Sequence, residues 1–300
     1  MIHYTSIQRK ITHVSIAKFS DYLQLVKVRL TLSVTFSAGV GYVLGADSSI
    51  NFILLGILLL GGFLITGAAN GLNQIFEKDL DKLMIRTTNR PVASGRLTVI
   101  EAYTVSLILG IVGVFLLNYF FNFLSSMIGV LSLAIYAFIY TPLKQKSRLA
   151  VVAGAIAGAA PPVIGYIAIT GTIDVWCVLL FTLQFLWQFP HFWAIAWMLD
   201  DDYKKAGFRL LPSLKGRTKW SAIITFLSTS LIIPLVLFFY LENYVGLTIG
   251  FLILLLTIHF TYQSYLLYQT QKMESAKKLM FGSFYYLPLV QILLMISKYL

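Results

Sequence analysis

Charge is scarce in this sequence. Asp, Glu, Lys and Arg make up 12% of its 300 residues, about half the share of a soluble globular domain. With 58% hydrophobic residues and a mean hydropathy of +0.80, too few polar side chains remain to cover a surface facing water. This excludes a soluble domain and marks an integral membrane protein. Cysteine is nearly absent as well. The single Cys177 excludes an intramolecular disulfide and reads as a small apolar filler. The first 29 residues carry charge throughout and hold no short apolar core ending in a small-residue cleavage site, so the first span is expected to be retained. No glycine-rich loop ends in Gly-Lys-Ser/Thr, which argues against a nucleotide triphosphatase.

The long apolar runs divide into nine segments: Leu30 to Leu44, Phe52 to Leu72, Ala102 to Leu117, Phe121 to Tyr140, Val151 to Ile169, Val175 to Leu199, Ser221 to Leu241, Val245 to Leu267 and Phe281 to Ile296. Each approaches the ~20 residues needed to cross a bilayer as a helix. The expected fold is all-α, a polytopic membrane protein with nine transmembrane helices around a central cavity. It forms one domain over residues 1–300, with a cytoplasmic N-terminal segment to about residue 21. The first span extends back toward Tyr22 if Lys27 and Arg29 snorkel to the interface. All but one of the 23 basic residues, Lys298, fall before the first span or in the loops after spans 2, 4, 6 and 8. The positive-inside rule places those loops and the N-terminus in the cytoplasm and the C-terminus outside, in a plasma membrane of bacterial type. Topology and attraction to the anionic leaflet of the lipid bilayer account for the net charge of +11 without nucleic acid.

Against this background the polar stretch Asn70 to Arg96 is an anomaly, because it begins directly where an uncharged span ends. Asn73, Glu77 and Asp81 are spaced i, i+4, i+8, within an arc of about 80° on a helix. Carboxylates brought that close repel unless a hard divalent cation, here Mg2+ shared with a phosphate, sits between them. A lone acid there would read as a solvated face; three on one face do not. Asp79 projects away and reads as solvent-facing. Arg86 and Arg90 follow at i, i+4, guanidinium forks suited to a diphosphate. A second acidic group, Asp200, Asp201 and Asp202, follows span 6. Four spans separate the two loops, so both emerge on the same side, an arrangement that parallel duplication of a four-helix unit would produce. Of the 12 acids, only Asp47, Asp174 and Glu242 lie on the other side. Lys144, Lys146 and Arg148 add a third basic loop to the active side. Within span 6, Gln184, Gln188 and His191 form a polar stripe leading toward Asp202 beside Pro190, the composition of a cavity wall. For His191 taken alone, an interhelical hydrogen bond is the commoner role, and His259 reads as structural. Gly154, Gly158, Pro161, Pro162 and Gly165 in span 5 read as close helix packing.

Several stretches together resemble the UbiA-type intramembrane aromatic prenyltransferase family. They are Asn73-Gln74 through Glu77, Asp79 and Asp81 to Met84-Ile85-Arg86-Thr87 and Arg90-Pro91; Tyr140-Thr141-Pro142-Leu143-Lys144; Gly158-Ala159-Ala160-Pro161-Pro162 with Gly165; Trp187-Gln188-Phe189-Pro190-His191-Phe192-Trp193; and Asp202-Tyr203 with Ala206-Gly207 and Leu211-Pro212. The match runs over most of the chain, and the Pro-His-Phe-Trp and Arg-Thr-x-x-Arg-Pro stretches resemble the branch that acts on heme. The resemblance implies Mg2+ held by Asn73, Glu77, Asp81, Asp201 and Asp202, with Asn73, Glu77, Asp81 and Asp202 carrying the chemistry. It implies farnesyl diphosphate and heme b as substrates, bound through Arg86, Arg90, Lys144, Gln188, His191 and Tyr203, and contact with terminal-oxidase or downstream heme assembly proteins. Two positions depart from the family pattern. Met198 stands four residues before Asp202 where the wider family has Asp, so the second metal set must be drawn from Asp200, Asp201 and Asp202; Ala150 replaces an expected Asn. Prenyl transfer to another aromatic acceptor, such as a quinone precursor, is the competing enzyme reading. A polytopic transporter is the competing non-enzyme reading, but its polar groups should continue across the membrane, whereas here the acids concentrate on one side.

Overall fold

The computed structural model describes residues 18–47 and 49–300; most of the N-terminal segment expected to about residue 21 lies outside them. Among the described residues there is no strand, and nine helices are long and apolar enough to cross a membrane. We label them α1 (Val28–Gly45), α2 (Phe52–Phe76), α3 (Val99–Phe120), α4 (Phe123–Lys146), α5 (Ala150–Thr170), α6 (Val175–Lys205), α7 (Lys219–Leu241), α8 (Leu247–Thr270) and α9 (Met273–Tyr299). They coincide with the nine apolar segments. Several run past the apolar stretch at the basic end, because a helix satisfies its own backbone and can continue beyond the hydrocarbon layer.

Most consecutive helices pack side by side, and α9 returns against both α6 and α1. The centre is α5, with 78% of its most apolar stretch buried, against 17% for peripheral α3. Its small residues explain its position. At Gly165 the nearest obstacle to a side chain is the backbone carbonyl of Ala38 on α1, and at Gly41 of α1 it is the carbonyl of Pro162 on α5, so the two backbones cross in direct contact. Pro161 and Pro162 leave the carbonyls of Ala157 and Gly158 without their helical donors. Ser132 Oγ of α4 donates to the first at 2.9 Å and Gln184 Nε2 of α6 to the second at 2.8 Å. The polar residues of the neighbouring spans thus meet a need created by the prolines of α5.

Between these helices lies a cavity of about 280 Å³, lined from α1, α2, α4, α5, α6 and α9, while α3, α7 and α8 stand outside it. Leu30 and Phe36 of α1 and Phe284 of α9 line it and are half-exposed. At the opposite end these two helices are tied. Lys298 Nζ of α9 donates to the carbonyls of Val43, Leu44 and Ala46, which close the C-terminus of α1.

Candidate active site

Asn73, Glu77 and Asp81 come together, fully buried, at the basic end of the bundle. They do not share one continuous helix, as their spacing predicts. α2 ends at Phe76, Glu77 takes a non-helical conformation (φ −97°, ψ 6°), and a single turn, Lys78–Asp81, carries Asp81 back toward the cluster. Asp79 points to solvent and pairs with Lys82 at 2.8 Å. The expected i, i+4 helix for Arg86 and Arg90 is likewise absent, because residues 82–97 form successive turns. This separates the two guanidiniums. Arg90 Nη1 reaches both oxygens of Asp81 at 2.8 Å, and Glu77 Oε2 at 3.8 Å. Arg86 lies exposed at the rim, 5.9 Å above the Tyr203 ring.

The fourth helix completes the cluster through a local irregularity. Pro142 cannot donate a backbone hydrogen bond, and the turn before it, Ile135–Tyr140, widens to a π-helix. The widened turn presents Thr141, whose hydroxyl accepts from Asn73 Nδ2 at 3.2 Å, and buried Lys144, whose Nζ donates to Glu77 Oε1 at 2.8 Å. Lys144 also lies 4.4 Å above the Tyr140 ring and 5.5 Å above that of Phe208.

Lys27 joins the site, although its sequence position suggested snorkelling to the interface. The helical segment over 18–25 breaks before α1, with Lys27 in the left-handed region (φ 51°). Gln74 Nε2 takes the carbonyls of Gln24 and Leu25, and Asn70 Nδ2 that of Val26, so α2 satisfies the groups the break releases. The break turns Lys27 inward, with Nζ 3.5 Å from Asn73 Oδ1. Burial, with Arg90 and Lys144 beside it, holds the Lys27 ammonium well below the usual lysine range, while Glu77 pulls the other way. Burial also pushes the Asp81 carboxyl up against the pull of Arg90.

The three acids of the second loop separate. Asp202 accepts backbone N–H bonds from Ile85 at 2.9 Å and Arg86 at 3.3 Å, so the end of α6 meets the turns that follow Asp81. Buried Asp200 pairs with Lys204 at 2.7 Å. Asp201, expected among the metal ligands, points to solvent, with its side chain 75% exposed and paired with Arg217 at 2.8 Å, because at this point of α6 it occupies the outer face. Among the described residues, no three His, Cys, Asp or Glu side chains converge as a metal-binding group; Arg90 and Lys144 compensate Asp81 and Glu77 instead. Gln188 lines the cavity but spends its amide on the Ala155 carbonyl at 3.0 Å, packed against Gly158. His191 lines the cavity one turn nearer to Asp202 on the same helix.

Residues 34–285 match the model of the UbiA prenyltransferase family. The chain is 45% identical to the protoheme IX farnesyltransferase of Cytophaga hutchinsonii, over 94% of this chain and 99% of that one. It is 42% identical to the protein of that name from Christiangramia forsetii, over 94% of each. Among solved structures, a digeranylgeranylglyceryl phosphate synthase superposes with a TM-score of 0.78 at 22% identity, covering 94% of this chain and 99% of that one. A UbiA homologue from Archaeoglobus fulgidus bound to DMAPP and Mg2+ superposes with a TM-score of 0.75 at 16% identity, covering 93% and 98%.

Proposed function

The chain belongs to the UbiA prenyltransferase family, and on that premise we propose that it transfers the farnesyl group of farnesyl diphosphate to a vinyl group of heme b to form heme O, with Mg2+, as one integral-membrane unit. Names borne by relatives at 34 to 45% identity over most of the chain support the acceptor. The observation that carries the donor reading is the charge of the buried cluster. Arg90 and Lys144 pair with Asp81 and Glu77, Lys27 lies beside Asn73, and Arg86 is added at the rim. Arg90 and Lys144, with Arg86 beside them, are charged donors that can turn from carboxylate to phosphate oxygens, and a diphosphate is the multivalent anion this chemistry uses.

The residues also fit a hard divalent cation. Asn73, Glu77 and Asp81 offer buried oxygen donors, and Asp202, on the last turn of α6, is bound to the turn that follows Asp81. When bound, Mg2+ would neutralise charge developing on the leaving diphosphate. Arg90 and Lys144 exchange their carboxylate partners for diphosphate oxygens, and Arg86 closes over them from the rim. The C–O bond breaks with its electron pair leaving on the diphosphate. Tyr136, Tyr140, Trp187 and Phe192, which line the cavity, keep the farnesyl cation from bulk water until the vinyl group attacks. Water then adds to the resulting porphyrin-side cation with loss of a proton, giving the hydroxyethylfarnesyl product.

Incubation of the purified protein with heme b, farnesyl diphosphate and Mg2+ is expected to yield that product mass; its absence, with prenylation of a quinone precursor instead, would reassign the acceptor. Replacing Lys144 with Gln is expected to raise the KM for farnesyl diphosphate about ten- to a hundredfold, the worth of a hydrogen bond to a charged group, and an unchanged KM rejects its place at the diphosphate. The orientation follows from the basic loops. A reporter fused after Leu300 is expected on the outer side of the plasma membrane, and a cytoplasmic signal would sink the proposed topology.

A further inference from the structure

The amide of Asn73 has two ends of nearly equal shape and opposite chemistry, and only the oxygen suits a cation. Asn73 is 1% exposed and Thr141 3% exposed, so bulk water does not decide between the two ends. Thr141 does. In a regular helix a threonine hydroxyl bonds the carbonyl three or four residues back. Here the π-helical turn Ile135–Tyr140 brings the carbonyl five residues back, that of Tyr136, within reach of both the backbone N–H and the hydroxyl of Thr141. The hydroxyl donates its one proton there at 2.9 Å, so its oxygen can only accept from a further partner. It accepts from Asn73 Nδ2 at 3.2 Å. With Nδ2 held by α4, Asn73 Oδ1 points the other way, toward Lys27 Nζ at 3.5 Å. Turning the amide over would set its oxygen against a hydroxyl with no proton to give, and its NH2 group into the cluster. Both residues are buried, and an unmatched polar pair there is costly.

Resting on the Mg2+ and diphosphate reading above, we propose that Thr141 is a positioning residue, which holds the oxygen of Asn73 toward the divalent cation. Among the described residues Lys27 is the one partner of Oδ1, at the outer limit of hydrogen-bond length. Oδ1 can therefore turn to a cation at little cost. Glu77 Oε1 and both oxygens of Asp81 must first release charged partners at 2.8 Å. Asn73 is thus the ligand already aimed, and its aim depends on a hydroxyl that touches neither metal nor substrate. Outer partners of this kind, which fix the far end of a metal ligand, are typically worth about 10- to 100-fold in metal affinity. The π-helical turn gains a role by the same argument, since it provides the acceptor that commits the Thr141 proton.

The full-length protein in nanodiscs of uncharged lipid, loaded with the non-ionising farnesyl thiolodiphosphate, is titrated with Mn2+, a hard cation that takes the same oxygen donors as Mg2+. Free Mn2+ is read by electron paramagnetic resonance, with the analogue alone as the blank. Thr141→Val, which keeps the shape and loses the hydroxyl, is expected to bind Mn2+ about ten- to a hundredfold more weakly, and Thr141→Ser to bind it as the wild type does. In turnover, Thr141→Val should need more Mg2+ by the same factor, while kcat at saturating Mg2+ and the KM for farnesyl diphosphate are retained. A carboxylate offers an oxygen whichever way it turns. In an Asn73→Asp background, Thr141→Val should therefore change Mn2+ affinity by less than about twofold, the scatter of uncoupled substitutions. An equal loss in both backgrounds, or in Thr141→Ser, would make the threonine a packing residue and overturn the proposal. Wild-type Mn2+ affinity in Thr141→Val overturns it too and leaves the metal reading standing, whereas no Mn2+ binding by the wild-type protein overturns the metal reading itself. If valine prevents folding, Thr141→Ala, which adds no bulk, carries the same expectation.

Discussion

Asp81→Asn is expected to lower turnover by about 10²-fold or more in a chain that still folds and inserts, in line with removing one electrostatic contact to a transition state that develops charge. The substitution keeps the shape of the side chain and one acceptor oxygen for Arg90, which now reaches both carboxylate oxygens at 2.8 Å. It removes the charge that a divalent cation requires. Loss of one partner from a buried ion pair ordinarily destabilises by about 3–5 kcal/mol; here Glu77, 3.8 Å from the same guanidinium, limits that loss. Product formation measured across a Mg2+ titration, with the melting temperature recorded beside it, separates the two effects. Near wild-type turnover at saturating Mg2+ would remove Asp81 from the metal site.

Gly165→Val is expected to be the most destabilising single change in the bundle, costing more than the ~3 kcal/mol of ordinary overpacking. Side chains usually yield to an added methyl group, but here the obstacle is the backbone carbonyl of Ala38, and the reciprocal contact of Gly41 with Pro162 blocks a shift along the same line. The helices would have to part, and they carry Ser37 and Ala38 on one side and Pro161 and Ile164 on the other, all lining the cavity. Gly56→Ala is the control. Nothing lies within 4 Å of that position in α2, so the helix propensity of alanine should leave stability unchanged or slightly raised. A melting temperature for Gly165→Val equal to that of the control would show that α1 and α5 can separate freely.

The nine spans were legible because two independent signals agree: apolar length and the alternation of basic loops. Hydropathy marks the membrane rather than the helix, however, so it ended the sixth span at Leu199, while α6 continues to Lys205 and delivers Asp202 to the site. The cluster of Asn73, Glu77 and Asp81 was legible from spacing, but the break at Glu77 was not, since neither glycine nor proline interrupts the stretch from Phe76 to Asp81. Lys27 was missed for a similar reason. A left-handed lysine has no local signature, and it is stable only because Asn70 and Gln74, more than forty residues away, take the carbonyls around it. Ser283 and Gln291 were passed over inside the last apolar run; the signal available was that polar side chains in a span seek partners in facing spans. Ser283 finds His191, and Gln291 Nε2 donates to Gln184 Oε1 at 3.0 Å.

The tie between Lys298 and the end of α1 bears on how substrate supply should be counted. With α1 and α9 fastened at one end, and Leu30, Phe36 and Phe284 of the same two helices lining the cavity yet half-exposed, the proposed substrates are expected to enter from the plane of the bilayer. Both proposed substrates are amphiphiles that partition into that plane. The quantity that sets the rate is then their mole fraction in lipid, not their molarity in buffer. Adding empty vesicle lipid at constant total substrate should slow the reaction by surface dilution, and shrinking the lipid pool should speed it, with neither change touching the protein.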